Sequence, residues 1–176
     1  MPTQNNNTVV MFDFLDQTHQ DIQKHLNILS ALGRVLRACG ELDAKASEQA
    51  QAVLNFFNAE ARNHHLDEEK HIFQQLLEGD DAAVVTAVRR LQQDHGWIEA
   101  NWTEIAPMLE AAVHGNIGFE PGALEQAIAV FVPLCIDHLL LEESLVYPAA
   151  QSQLNDWVQS AAGNEMAARR RQRQGA

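Results

Sequence analysis

HLLLEESLVYP, residues 138–148, sets a histidine and two glutamates into a run of leucines that otherwise reads as the buried face of a helix. Acid and imidazole are costly in an apolar core unless something pairs with them. The wording recurs earlier in the chain. HHLDEEKHIF (64–73) aligns with HLLLEESLVY (138–147) as His, three residues, Glu, Glu, and each ends on an aromatic, Phe73 or Tyr147. The repeat reaches upstream, because Phe57 stands seven residues before His64 and Phe131 seven before His138. Helical residues four apart differ by about 40° in direction and about 6 Å in height, so His64 with Glu68, and His138 with Glu142, each share a face. The repeat therefore predicts two pseudo-equivalent helices presenting matching groups to one site.

Working outward, turn signals at Cys39-Gly40, at Gly79-Asp80-Asp81 and across His114–Gly118 with Pro121-Gly122 cut the chain into four long segments. In the first, Phe12, Leu15, His19, Ile22, Leu26 and Leu29 recur at alternating steps of three and four. Val84, Val88, Leu91, His95, Ile98, Trp102 and Ile105 do the same in the third, where Pro107 is expected to kink or end the helix. Short links between long amphipathic helices favour antiparallel neighbours. The predicted fold is all-α: one domain over 1–176, an antiparallel up-down-up-down four-helix bundle over about 8–151, with a short extra C-terminal helix about Asn155 to Arg170 and a tail at 171–176. Sparse Gly and Pro and abundant Ala, Leu, Gln and Glu agree with helix.

The formal charge is −12, although four of the twelve basic residues crowd into the terminal run Arg169, Arg170, Arg171 and Arg173. So acidic a surface repels phosphate backbones and anionic lipid, and neither nucleic acid nor a membrane is expected as a partner. The arginine run reads as a frayed, solvated end to the last helix. The opening MPTQNNNTVVMFDFL has no basic leader followed by a long apolar run, and no segment reads as an apolar membrane span. Cys39 and Cys135 are too few for a disulfide framework, so reduced thiols and a cytoplasmic location are expected.

His19 and His95 occupy core-stripe positions near the middle of the first and third helices. Four imidazoles (His19, His64, His95, His138) and two carboxylates (Glu68, Glu142) converging from four helices satisfy one another by holding metal. Nitrogen and oxygen donors without thiolate point to iron or manganese before zinc, which prefers closed tetrahedral sets and often sulfur. Six such ligands, with carboxylates that can bridge, suit a dinuclear centre better than a mononuclear one. Glu69 and Glu143 are expected either to hold the free N–H of ligating histidines or to form flanking salt bridges. Glu99 shares the face of His95 and is a possible extra ligand, proton relay or nearby carboxylate. His71, seven after His64, is a possible supporting group or a partly buried histidine. His65 points about 100° from His64, which makes it the weaker candidate. His25 and His114 read as flanking or solvated. Phe57, Trp102 and Phe131 are expected to pack the core, and Cys135 to be a buried inert thiol.

Taken together, His19, His64-x-x-x-Glu68-Glu69, His95, and His138-x-x-x-Glu142-Glu143 with Tyr147-Pro148 resemble the hemerythrin-like, or HHE cation-binding, domain over about residues 10–170. The ending Glu165-Met166-Ala167-Ala168-Arg169-Arg170 is similar to that of bacterial members. The resemblance implies a non-haem di-iron centre, oxo- or hydroxo-bridged, with Glu68 and Glu142 bridging, the four histidines as terminal ligands, and Mn or Zn as substitutes for the two Fe ions. Oxygen-carrying hemerythrins have a second histidine on the third helix, where this chain has Glu99, and an aspartate five after the last histidine, where it has Glu143 after Glu142. The four-His, two-Glu pattern is closer to iron-centre repair proteins and iron-sensing domains. Expected small ligands are O2, NO or peroxide, possible settings are oxidative or nitrosative stress, and the alternative is an iron or oxygen sensor, or iron-handling module, without turnover. A monomer or homodimer is expected.

Overall fold

In the computed structural model, which describes residues 11–116, 118, 120–154 and 156–174, each turn signal marks a helix boundary. Helix α1 spans Met11–Cys39 and stops at Gly40, whose φ of +76° suits a residue without Cβ and whose N–H caps the Leu36 carbonyl at 2.8 Å. Asp43 accepts from the Ala46 N–H at 2.7 Å to start α2, residues 44–77. Asp81 accepts from the Ala83 N–H at 2.9 Å to start α3, Ala82–Val113. Helix α4 runs over 121–153, and α5 is Asp156–Gln174. No strand occurs among the described residues.

Two hydrophobic clusters give the topology. One joins the start of α1 (Met11, Leu15), the end of α2 (Ile72, Leu76), the start of α3 (Val84, Leu91) and the end of α4 (Val146, Ala150). The other joins the remainder of α1 (Leu26, Leu36) with the start of α2 (Val53, Phe57), the end of α3 (Ile105, Leu109) and the start of α4 (Leu124, Phe131). Starts meet ends, so neighbouring helices are antiparallel and the bundle is up-down-up-down. The predicted stripes on all four helices are buried.

Three details differ from expectation. Pro107 does not end α3, which continues to Val113 because Ile105 and Leu109, both fully buried, anchor the helix on either side of the lost N–H bond. The last helix is longer than predicted and reaches Gln174, so the arginine run is helical; Asn155 and residues 8–10 lie outside the described residues. Helix α5 packs Ala162 and Met166 against Met11, Phe12 and Leu15, and Arg169 Nη2 binds Asp67 Oδ1 at 2.7 Å. Finally, one helix, Gly122–Gln153, is long and apolar enough to cross a membrane by length and composition. Its apolar residues are split between a face buried in the bundle, with Leu124 and Phe131, and an outer face where Val130, Ile136 and Leu140 are exposed.

Candidate metal centre

Between the two hydrophobic clusters lies a polar layer. Each helix contributes one histidine where its stripe crosses the middle of the bundle, and all four are buried: His19, His64, His95 and His138. Glu68 and Glu142 are fully buried beside them. Their donor atoms form two overlapping sets, His19 with His64, and His95 with His138, each completed by Glu68 and Glu142. Both carboxylates belong to both sets, which is the arrangement needed for two cations to share them.

The distances are those of a ligand cage. His19 Nε2 is 3.1 Å from His64 Nε2 and 3.3 Å from Glu142 Oε2. His138 Nε2 is 2.9 Å from Glu142 Oε1, and His95 Nε2 is 3.4 Å from Glu68 Oε2. Adjacent ligands of one octahedral ion, each about 2.1 Å from it, stand about 3 Å apart. Among the described residues, seven of the eight buried side-chain polar atoms without a hydrogen-bond partner belong to this set, including His95 Nε2, His138 Nε2, Glu68 Oε2 and both Glu142 oxygens. Native interiors rarely leave such groups unpaired. A cation between them satisfies most of these atoms at once, so the residues fit a metal.

The electrostatics agree. Burial pushes the imidazole of His64 down to about 3 and that of His138 to about 4, so both are neutral, as metal ligands must be. Burial also works against charge on His19 and His95, but Glu142 beside the first and Glu68 beside the second carry both above the usual value. Burial and the adjacent Glu68 push Glu142 well up, whereas His64 and His95 overcome the same burial at Glu68 and hold it well below the carboxylate range. Burial and mutual repulsion thus oppose charge on the second acid, a cost that a cation between the two would offset.

The second glutamate of each repeat reaches a histidine on another helix. Glu69 Oε1 lies 3.0 Å from His95 Nδ1, and Glu143 Oε1 lies 2.9 Å from His19 Nδ1. Each contact turns the opposite nitrogen, Nε2, toward the centre. Gln92 in turn donates to Glu69 at 2.8 Å. Asp94 Oδ2 stands 4.0 Å from His138 Nδ1. Nothing in the periodicity singles out Asp94, although its place directly before His95 is a usable signal.

Local helix geometry decides which other residues arrive. Directly at each His-x-x-x-Glu motif the helix widens into a π turn, Glu69–Phe73 in α2 and Glu142–Val146 in α4. The Tyr147 N–H bonds the Glu142 carbonyl, five residues back. A π turn therefore places residue i+5 above i, where a regular helix would place i+4. Phe73 and Tyr147, each five after a buried glutamate, come onto the site face, where Phe73 stacks on His95 at 5.4 Å and Tyr147 on His19 at 5.1 Å.

The same phase shift carries His71 away from the face of His64. Its Nε2 faces Glu165 of α5 at 3.6 Å and does not support the centre. Glu99 also stays apart: its carboxylate binds Arg62 at 3.1 Å, and both side chains are largely exposed. Conversely, His65 comes closer than its 100° offset suggested. It stacks on His95 at 4.0 Å, and its ring forms a third possible donor group with His95 and His138.

Phe57, Trp102 and Phe131 pack against one another on one side of the polar layer. A cleft of about 520 Å³ between α2 and α3 is lined by Phe57, Trp102, His65, Glu69, His95 and Glu99, so it reaches the centre from one side. Cys135 is buried, and burial pushes its thiol up.

A bundle of four antiparallel helices with an imidazole converging from each and a carboxylate from two of them defines a class of helical cation-binding domains. The chain belongs to the hemerythrin HHE cation-binding domain family, which it matches over residues 10–150. It is also 26% identical over 158 residues to an uncharacterized protein of Haemophilus influenzae, covering 90% of this chain and 88% of that protein.

Proposed function

We propose that the protein holds a pair of iron ions through His19, His64, Glu68, His95, His138 and Glu142, with both glutamates bridging, and that the centre engages O2, NO or peroxide. The observation that carries this reading is the sharing of Glu68 and Glu142 by both donor sets. The absence of thiolate among the donors favours iron or manganese over zinc. Bound ferrous iron supplies electrons and an exchangeable coordination position. The protein supplies neutral imidazoles, carboxylates oriented by the surrounding helices, and a cleft whose Phe57 and Trp102 walls admit small uncharged molecules.

Metal analysis with absorption spectra on anaerobic and aerated protein tests it. Two irons per chain, and a spectrum that changes on exposure to O2 or NO, are expected. Glu68→Ala and Glu142→Ala should each lose at least one ion; retention of both ions in both variants removes the bridging assignment.

The orphaned polar atoms favour a second reading, an iron sensor or iron-handling module without turnover. A layer that needs its cation couples occupancy to packing. Sustained consumption of NO or peroxide favours the first reading, and metal-dependent protease resistance without turnover favours the second.

A further inference from the structure

We infer that Tyr147 is a ligand to one ion of the centre, the one between His19 and His64, and that small molecules consequently bind at the other ion, between His95 and His138. The inference rests on the two-metal reading above. It begins with the repeat, in which Tyr147 and Phe73 are equivalent. Phe73 closes its π turn and Tyr147 directly follows its own, and each stacks on a histidine of another helix, at interplanar angles of 25° for Tyr147 on His19 and 17° for Phe73 on His95. The two halves of the centre therefore match in donors and in shape. They differ by the phenol oxygen of Tyr147 on one side and the His65 ring on the other.

That oxygen is in the cage. Tyr147 Oη lies 2.9 Å from His19 Nε2 and 2.5 Å from Glu68 Oε1, and the side chain is 3% exposed. The separation from His19 matches the spacing of about 3 Å between adjacent ligands of one ion, as the His19–His64 and His19–Glu142 contacts also do, while the contact with Glu68 is a short hydrogen bond that holds the phenol oxygen at the edge of the cage. One side thus has five converging groups: His19, His64, Glu68, Glu142 and Tyr147. On the other side the place equivalent to Tyr147 is the hydrocarbon ring of Phe73, and the further group near His95 and His138 is the ring of His65, stacked on His95 at 4.0 Å beside the cleft, so that ion has no phenol counterpart and faces the cleft. Ligation forms an oxygen–metal bond and breaks the phenol O–H bond, with the proton released to solvent and no change in oxidation state.

Access follows the same asymmetry. The cleft of about 520 Å³ touches His95 and His65 and none of His19, His64 or Tyr147. The opening near His64, against Asp67, Met166 and Arg169, encloses about 30 Å³, room for roughly one water molecule. An incoming small ligand is thereby directed to the His95–His138 ion.

The test uses full-length protein loaded with iron, oxidised to the ferric state and counted for metal. A ferric–phenolate charge-transfer band with tyrosinate ring modes in the resonance Raman spectrum is expected for the unaltered protein. Tyr147→Phe should abolish both while keeping two irons. Azide titration should show one azide per centre in the unaltered protein and two in Tyr147→Phe. Two irons without any tyrosinate signal overturn the inference and leave the two-metal reading standing; the phenol is then only a hydrogen-bond donor to Glu68. Fewer than two metal ions per chain overturns both, and the metal count tells the failures apart. The Raman measurement on unaltered protein decides the matter even if Tyr147→Phe misfolds.

Discussion

A ligating imidazole has one nitrogen for the cation and one N–H to place, and the placing of that N–H decides which nitrogen faces inward. Glu69 and Glu143 take this task for His95 and His19. Removing either carboxylate leaves the donor set intact but frees a ring. Glu69→Ala and Glu143→Ala should each weaken metal affinity by about 10- to 100-fold, with the metal count at saturation unchanged. Competition against a chromophoric chelator measures this. Glu99→Ala is the control: its partner is Arg62 at the surface, so its affinity should equal that of the unaltered protein. An equal loss in all three variants would mean that the effect is one of general charge.

Within the helices, the two π turns that follow the His-x-x-x-Glu motifs set the boundary between what a 3.6-residue period predicts and what it does not. Up to Glu68 and Glu142 the predicted faces are the buried ones, even though an earlier π turn, Phe56–Ala61, already interrupts α2. Beyond them the phase slips, which brings in Phe73 and Tyr147 and turns His71 toward α5. Helix α5 then seals the α1–α2 seam beside His64, held by Arg169 on Asp67. Asp67 is 9% exposed, and burial raises its carboxyl while Arg169 opposes that rise. Arg169→Ala should therefore cost about 2 kcal/mol, since it strands a mostly buried acid. Equilibrium denaturation of Arg169→Ala, Asp67→Asn and the double variant gives the coupling; additive losses would show that the pair does not act as one unit.

For the bundle as a whole, the polar layer divides the core into two apolar clusters and is the weakest plane of the fold when empty. Two buried acids and four buried imidazoles leave most of their unpaired atoms facing each other across it. Binding that is confined to the native state adds about 4 kcal/mol when free metal is a thousandfold above its dissociation constant. At about 2–4 °C per kcal/mol for a domain of this size, chelation should lower the melting temperature by roughly 10 °C, and iron should restore it. Calorimetry with and without chelator checks this. An unchanged melting point would place the cation outside the core.

The amino-acid order by itself determined the four helices and the six converging donors, because periodicity and the His-x-x-x-Glu repeat are local properties of a helix face. It also indicated Glu69 and Glu143, through the repeat. Asp94 beside His138, the approach of His65 to His95, and the surface pairing of Glu99 with Arg62 depend on which helices lie next to one another and how closely. The continuation of α3 past Pro107 depends on its buried neighbours, Ile105 and Leu109. Tyr147 belongs to both levels: its place in the repeat is written in the chain, but its oxygen reaches the cage only because a π turn rotates it there and α1 presents His19 to meet it. A regular period cannot announce its own interruption, and contacts between helices exist only after packing; these are the parts that tertiary structure alone decided.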